Sequence, residues 1–107
     1  MDLQNLYRNI PEDVRDEIFE TLVHSRHFRL ERIISKGHAT PSGAWYDQEM
    51  NEWVVLLKGS AGLLFEDETE VRSLRPGDFL SIPKHRRHRL EWTDSAEETV
   101  WLALHYD

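Results

Sequence analysis

The first quarter of the chain and the remainder differ in the spacing of their apolar residues. In the first quarter, Val14, Ile18 and Leu22 recur at the spacing of one helix face. Pro11 and the two acidic residues after it are typical of a first helical turn, where proline leaves no amide unpaired and acids face the positive end of the helix dipole. The pattern predicts one α-helix at about 11–24 that packs against the rest of the protein.

The remainder of the chain consists of short apolar segments separated by turn residues. Glycine lies in the turns at 58–60 and 75–78, as tight turns require. Many short strands at close spacing are typical of a β-sandwich or barrel. We expect an all-β fold with one N-terminal helix, a barrel at about 28–106 and a single domain over 1–107. The predicted strands are 28–34, 44–48, 52–57, 61–65, 71–74, 79–82, 87–93 and 99–106.

The segment 87–93 shows which of its faces should be buried. Strand side chains alternate between faces, so His88, Leu90 and Trp92 share one face. The other face carries two arginines, a glutamate and a threonine. The first face is therefore predicted to point into the barrel, which places an imidazole in the interior.

Two other segments, 52–57 and 99–106, are apolar on both faces. A strand that is apolar on both faces is normally covered on both sides. The outer cover could be the helix, an N-terminal strand or a second subunit. Because so much exposed apolar surface is unusual on a monomer, we expect a homodimer. The face on which His105 lies is left open by this pattern.

Charge and composition exclude several classes of function. The net charge is −7, and the one dense basic stretch, residues 84–89, is expected to be a solvated turn, so nucleic acid is not an expected partner. No apolar run approaches the roughly 20 residues of a membrane helix, and no leader peptide is recognisable. Cysteine is absent, which rules out disulfides and thiolate chemistry. We expect a cytoplasmic protein that binds a small molecule and neither a membrane nor nucleic acid.

Two spaced motifs add a more specific indication. Glu52 is followed seven residues later by Gly59, and Gly77 is followed at matching distances by Pro83 and His88. With these spacings, in this order, the chain resembles the cupin superfamily, in particular its small single-domain cupin-2 type proteins. The resemblance implies a jelly-roll barrel in which Glu52 and His88 share an internal pocket.

The chain departs from that pattern where the family carries metal ligands. Depending on the loop count, the two histidines of the first motif are replaced by Trp45 and Asp47 or by Tyr46 and Gln48. In the second motif the turn glycine is His85, and the terminal asparagine is Trp92.

The resemblance implies a bound divalent metal ion. Histidine and carboxylate ligands would suit Zn, Mn, Fe or Ni. The candidate metal ligands are Glu52, His88, Asp47, Gln48 and His85. The alternative is that Glu52 and His88 form a buried hydrogen-bonded pair without metal. The candidate pocket-lining residues are Trp45, Tyr46 and Trp92, for which plain core packing is the alternative.

Two classes of function remain open at this point. The first is an enzyme that acts on a small organic substrate, either with a bound metal or with Glu52 and His88 as an acid/base pair. The second is a metal-free binding or sensing module that performs no turnover. The sequence identifies neither the substrate nor the reaction.

Overall fold

The computed structural model describes residues 2–107, and it is an all-β structure without an α-helix in that range. Its eight strands pair in antiparallel fashion throughout. Strand bounds are β1 Ile18–His24, β2 Phe28–Ser35, β3 Asn51–Lys58, β4 Ala61–Phe65, β5 Arg72–Leu74, β6 Phe79–Ile82, β7 His88–Thr93 and β8 Thr99–Tyr106.

The strands form two sheets that enclose the core of a jelly-roll barrel. The larger sheet has the order β1-β2-β8-β3-β6, and the smaller has the order β5-β4-β7. Side chains from both inner faces make one apolar cluster, and its members at or below 3% exposure are Val54, Leu56, Ala61, Phe65, Leu74, Ile82 and Ala103. The sheets thus leave their inner faces as the place where a site can form.

The predicted helix at 11–24 is wrong. Residues 11–17 form no regular element, and Ile18–His24 is strand β1, which pairs with β2. The helical spacing of apolar residues was real, but the segment is also rich in β-branched and aromatic residues that favour a pleated surface. Pairing with β2 supplies hydrogen bonds from a distant partner, and this tertiary contact outweighs a weak local preference.

The N-terminal segment is tied across the outer face of the larger sheet by Arg32. Its guanidinium donates to the backbone carbonyls of Leu6 at 3.0 Å, Arg8 at 2.6 Å and Asn9 at 3.4 Å. It also forms an ion pair with Glu20 at 2.7 Å. The arginine is 6% exposed, so this charge is buried but well paired. One end of the outer face is covered by this segment.

Strand β7 contains an irregularity that redirects its last residues. Opposite β4, Leu90 pairs with Leu63 and Trp92 pairs with Gly62, so Glu91 is an extra residue in the ladder. Such a β-bulge reverses the alternation of side chains beyond it. His88 and Leu90 therefore point inward and are buried, whereas Trp92 is 40% exposed and lies over Gly62 on the outer side.

No helix in residues 2–107 is long and apolar enough to cross a membrane.

Candidate functional site

A cavity of about 300 Å³ opens between the inner faces of the two sheets. Its apolar wall consists of Ile33, Val54, Leu63, Ile82, Leu90 and Trp101. Its polar groups are contributed by Glu31, Gln48, Glu52, Tyr46, His88 and His105. Three more exposed lining residues are Glu17, Phe19 and Arg29. An apolar cavity with a few convergent polar groups is the usual form of a small-molecule site, and this volume lies at the small end of the range.

Glu52 and His88 meet inside this cavity. Glu52 lies on β3 opposite Ile82 and His105, and His88 begins β7 on the facing sheet. Their side chains are 4.0 Å apart between Glu52 Oε1 and His88 Nε2, and the residues are 7% and 5% exposed. The distance is too long for a direct hydrogen bond. Both groups therefore face the same space and keep hydrogen-bonding capacity for a third partner.

The His88 ring is oriented by its immediate neighbours. Its Nδ1 lies 2.9 Å from the carbonyl oxygen of Arg86, which can only accept a hydrogen bond, so Nδ1 donates. Two backbone hydrogen bonds with Tyr46 hold the strand start in place, and the rings of Tyr46 and Phe65 lie 5.7 and 6.0 Å from the imidazole. In the neutral ring, Nε2 is then the basic nitrogen, and it points towards Glu52.

Burial raises the pKa of the Glu52 carboxyl above its ordinary value of 4.5, because the charged form loses hydration. Nearby His105 and His88 and a hydrogen bond from Gln48 oppose this shift, and the carboxylate of Glu31 adds to it. A glutamate that keeps its proton to higher pH can act as a proton donor, which is the condition that general acid catalysis requires.

A second carboxylate–imidazole pair lies beside the first. His105 Nε2 donates to Glu31 Oε1 at 2.9 Å, and both residues are buried. Arg29 Nε contacts the other carboxylate oxygen at 3.3 Å. The sequence pattern left the face of His105 open and did not single out Glu31. The available signal was the alternation of β8, since His105 shares a face with the buried Trp101 and Ala103.

The remaining predicted metal ligands lie in different places. Gln48 lines the cavity close to Glu52. Asp47 and His85 are both exposed and pair with each other at 2.8 Å between Oδ1 and Nδ1. His85 also has a φ of 64°, which belongs to the left-handed region that favours glycine. It therefore occupies the glycine-like turn position, and its side chain points away from the cavity that holds Glu52.

The three aromatic residues predicted to line the pocket are also separated. Tyr46 lines the cavity, and burial, followed by the nearby carboxylate of Glu17, raises the pKa of its phenol. Trp45 is half-buried, with the Arg89 guanidinium 5.7 Å from its ring centre, and it is not among the cavity-lining residues. The bulge in β7 places Trp92 on the outer side. Another aromatic residue, Trp101 on β8, does line the cavity.

The donor set fits a divalent metal poorly. Within residues 2–107, no three His, Cys, Asp or Glu side chains converge as a metal-binding group. Glu52 and His88 supply two donors, and Gln48 could add only an amide oxygen. His105 is engaged by Glu31. Functional metal sites of this type normally use three or four protein ligands of better quality.

Solved structures that resemble this one include a protein from Ralstonia eutropha JMP134 described as a candidate mannose-6-phosphate isomerase. It is 48% identical, the match covers 100% of this chain and 99% of that one, and the TM-score is 0.96. A cupin superfamily protein from Desulfitobacterium hafniense DCB-2 is 16% identical with a TM-score of 0.73, over 91% of this chain and 83% of that one.

An RmlC-like cupin with a double-stranded β-helix fold, from Methanocaldococcus jannaschii, is 17% identical with a TM-score of 0.69. That match covers 91% of this chain and 85% of the other. The chain matches no protein-family model and no curated protein. Taken with the spacing from Glu52 to Gly59 and from Gly77 to His88, the likeness at 48% identity and the shared fold show that this chain belongs to the cupin superfamily.

Proposed function

We propose that this cupin binds a small organic substrate in its cavity and that Glu52 and His88 transfer protons to and from it. The observation that supports the proposal is the open arrangement of the pair. Two buried groups lie 4.0 Å apart without a direct hydrogen bond, and both line the same cavity. An acid and a base that flank one substrate are the minimum that an isomerisation by proton transfer requires.

The chemistry balances without a further reactant. In an α-hydroxy carbonyl substrate, His88 Nε2 removes a proton from the hydroxyl-bearing carbon beside the carbonyl group, while protonated Glu52 donates its proton to the carbonyl oxygen. The enediol so formed loses its other hydroxyl proton to Glu52 and receives a proton from His88 on the neighbouring carbon. The carbonyl has then moved by one carbon, and both residues have regained their starting protonation states.

Two further observations support a substrate with polar and apolar parts. The cavity combines an apolar wall with polar groups from Gln48, Glu52 and His88. A molecule that fits it is therefore expected to carry both apolar and hydrogen-bonding groups. In addition, the relative from Ralstonia eutropha is described as a candidate isomerase, a reaction class that the Glu52–His88 arrangement can perform.

A metal-dependent reaction is the second candidate. Glu52 and His88, with the amide oxygen of Gln48, would hold Zn, Mn, Fe or Ni, and the tautomer of His88 leaves Nε2 free to coordinate. Because this donor set falls short of an ordinary site, the proposal assigns the proton transfers to the side chains alone.

Deuterium exchange tests the proposal. The substrates are mannose 6-phosphate, hydroxyacetone and aminoacetone in D₂O, and NMR follows exchange of the hydrogens beside each carbonyl. We expect the wild-type protein to accelerate exchange of at least one substrate. Glu52→Gln and His88→Asn should each reduce that acceleration by about 10²–10⁴-fold, the usual contribution of a positioned acid or base. His85→Gln, which alters an exposed imidazole, is the matched control and should retain the rate.

Two results would contradict proton transfer by this pair. One is exchange that survives both substitutions. The other is the absence of exchange for every substrate, which would favour a binding module without turnover. Metal analysis of untagged protein should find far less than one ion per chain. One metal ion per chain in the wild-type protein, lost in Glu52→Gln, would favour the metal-dependent mechanism over the side-chain mechanism.

We also propose that the chain forms a homodimer through the uncovered part of its larger sheet. Val23, Leu30, Leu104 and Trp53 are successive partners across β1, β2, β8 and β3, so they form one apolar row on the outer face. Phe79 stacks on Trp53 at 5.4 Å and is 64% exposed, and Val23 is 51% exposed. Because this row carries no charged side chain, it can pack against the same row of a second copy related by a two-fold axis.

Sedimentation tests the dimer. The wild-type protein should sediment at twice the chain mass of 12.7 kDa. Val23→Lys should shift it to the monomer, because a lysine charge in a buried interface is not compensated. Val71→Lys changes another exposed valine, outside this sheet, and should leave the dimer intact. A monomeric wild-type protein would show that the apolar row has no partner copy.

A further inference from the structure

The charges that line the cavity do not balance. Three carboxylates, Glu17, Glu31 and Glu52, line it, together with a single arginine, Arg29. That arginine is already paired with Glu31 at 3.3 Å. Glu17 and Glu52 have no lysine or arginine within ion-pair distance in the described part of the chain. Glu17 therefore brings into the cavity a negative charge that the described residues do not neutralise, and Glu52 adds a second when it is ionised.

Glu17 belongs to the same space as the acid/base pair. It accepts a hydrogen bond from the buried Ser35 hydroxyl at 2.7 Å, which fixes its position beside strand β2 without neutralising its charge. The carboxylates of Glu17 and Glu52 both act on the phenol of Tyr46 and favour its neutral form. Glu17 and Glu52 are thus both close enough to influence the same aromatic side chain.

Three aromatic side chains line the same cavity. Phe19, Tyr46 and Trp101 are contributed by β1, by the loop before β3 and by β8, and Phe19 is 55% exposed. The face of an aromatic ring attracts a cation through its quadrupole, most strongly where water is excluded. Aromatic rings combined with unpaired carboxylates are the recognition chemistry of an organic ammonium group.

We propose that the cavity selects a small organic cation, such as an amine or quaternary ammonium compound that also carries an oxygen. This inference rests on the proposed substrate site and names the charge of its ligand. A phosphorylated sugar is the wrong charge class, because Arg29 is engaged by Glu31 and the other charged groups facing the cavity are acidic.

Calorimetry with a matched ligand pair tests the charge preference. Choline and 3,3-dimethyl-1-butanol have nearly the same shape and the same hydroxyl, and only choline is charged. We expect choline to bind at least about tenfold more tightly than the neutral alcohol. Mannose 6-phosphate should bind more weakly than either.

Glu17→Gln separates this inference from the proton-transfer proposal, because Glu17 is not one of the proton-transferring groups. The substitution should reduce choline affinity about tenfold and leave the alcohol unaffected, while Glu66→Gln, at an exposed ion pair, should change neither. Equal affinity for both ligands, tighter binding of mannose 6-phosphate, or no binding of choline at about 10 mM overturns the cation preference. If mannose 6-phosphate exchanges deuterium and the exchange depends on Glu52 and His88, the cation preference is overturned but the proton-transfer proposal is supported.

Discussion

Two carboxylate–imidazole pairs lie in the same cavity and differ in one respect. Glu31 and His105 are in direct hydrogen-bond contact at 2.9 Å, and Arg29 completes the shell of the carboxylate. Glu52 and His88 are equally buried but stand 4.0 Å apart. The residue types are the same, so the difference in distance separates a closed pair from an open one.

The difference assigns the two pairs to different tasks. In the closed pair the hydrogen-bonding groups satisfy one another, which is how buried polar groups usually contribute to a stable fold. In the open pair burial is only partly compensated, and this raises the pKa of Glu52. A protein maintains such an arrangement at a cost in stability, and the cost is offset when a ligand completes the missing contacts.

The largest expected effect is on the closed pair. Glu31→Ala should destabilise the protein by about 3 kcal/mol, because it leaves His105 and Arg29 without their buried partner. Urea unfolding followed by circular dichroism measures the change. Glu66→Ala removes the partner of Arg87 in an exposed ion pair at 3.0 Å and should cost less than about 1 kcal/mol. Equal decreases in the free energy of unfolding would show that the buried Glu31 contributes no more to stability than an exposed ion pair does.

A smaller effect of the opposite sign is expected for the open pair. The folded state holds the Glu52 proton to higher pH than the unfolded chain, whose carboxyl has the ordinary pKa of 4.5. Stability therefore falls as the pH rises from 4.5 through the folded pKa. Glutamine does not titrate, so Glu52→Gln should unfold at the same temperature as the wild type at about pH 4 and at a higher temperature at about pH 8.

Thermal unfolding at several pH values checks this expectation. The gain from Glu52→Gln should be smaller than the loss from Glu31→Ala, since it removes only the cost of ionising one group. Glu66→Gln provides the reference for an exposed carboxyl and should show little dependence on pH. If Glu52→Gln instead raises the unfolding temperature most at low pH, the pKa of Glu52 is lowered in the folded state, and burial is not the dominant influence on it.

The two pairs also differ in how far the sequence predicts them. Motif spacing and the alternation of β7 point to Glu52 and His88, because each signal lies within a short segment. The closed pair depends on the register between β2 and β8, in which Glu31 pairs with Ala103 and Arg29 with His105. Strand register between distant segments is set by the whole sheet, so no local pattern could join Glu31 to His105.

The same limit explains the errors in the fold. Turns at Gly59 and Gly77 were readable because both glycines take a positive φ that other residues avoid. Strand β1 could not be predicted, because its pairing with β2 outweighs the helical spacing of Val14 and Ile18. Trp92 was placed by strict alternation, which fails wherever a bulge inserts a residue. Turns and spaced motifs are predictable here, whereas features that depend on strand register or on a bulge are not.

The smallest effect concerns only the position of one hydrogen on each imidazole. His88 Nδ1 must donate to the Arg86 carbonyl, whereas His105 Nε2 must donate to the Glu31 carboxylate. In their neutral forms the two rings should therefore adopt opposite tautomers. Long-range ¹H–¹⁵N NMR spectra distinguish them, and single His→Gln variants assign the signals.

Ligand binding should sharpen that contrast. Choline should perturb the Nε2 signal of His88, which faces the cavity, more than the Nε2 signal of His105, which is held by Glu31. The reason is that His88 Nε2 has no hydrogen-bond partner among residues 2–107, whereas His105 Nε2 donates to Glu31. If both rings carry hydrogen on the same nitrogen, or if His105 responds as strongly as His88, the two pairs are equivalent and the open pair loses its claim to be the site of proton transfer.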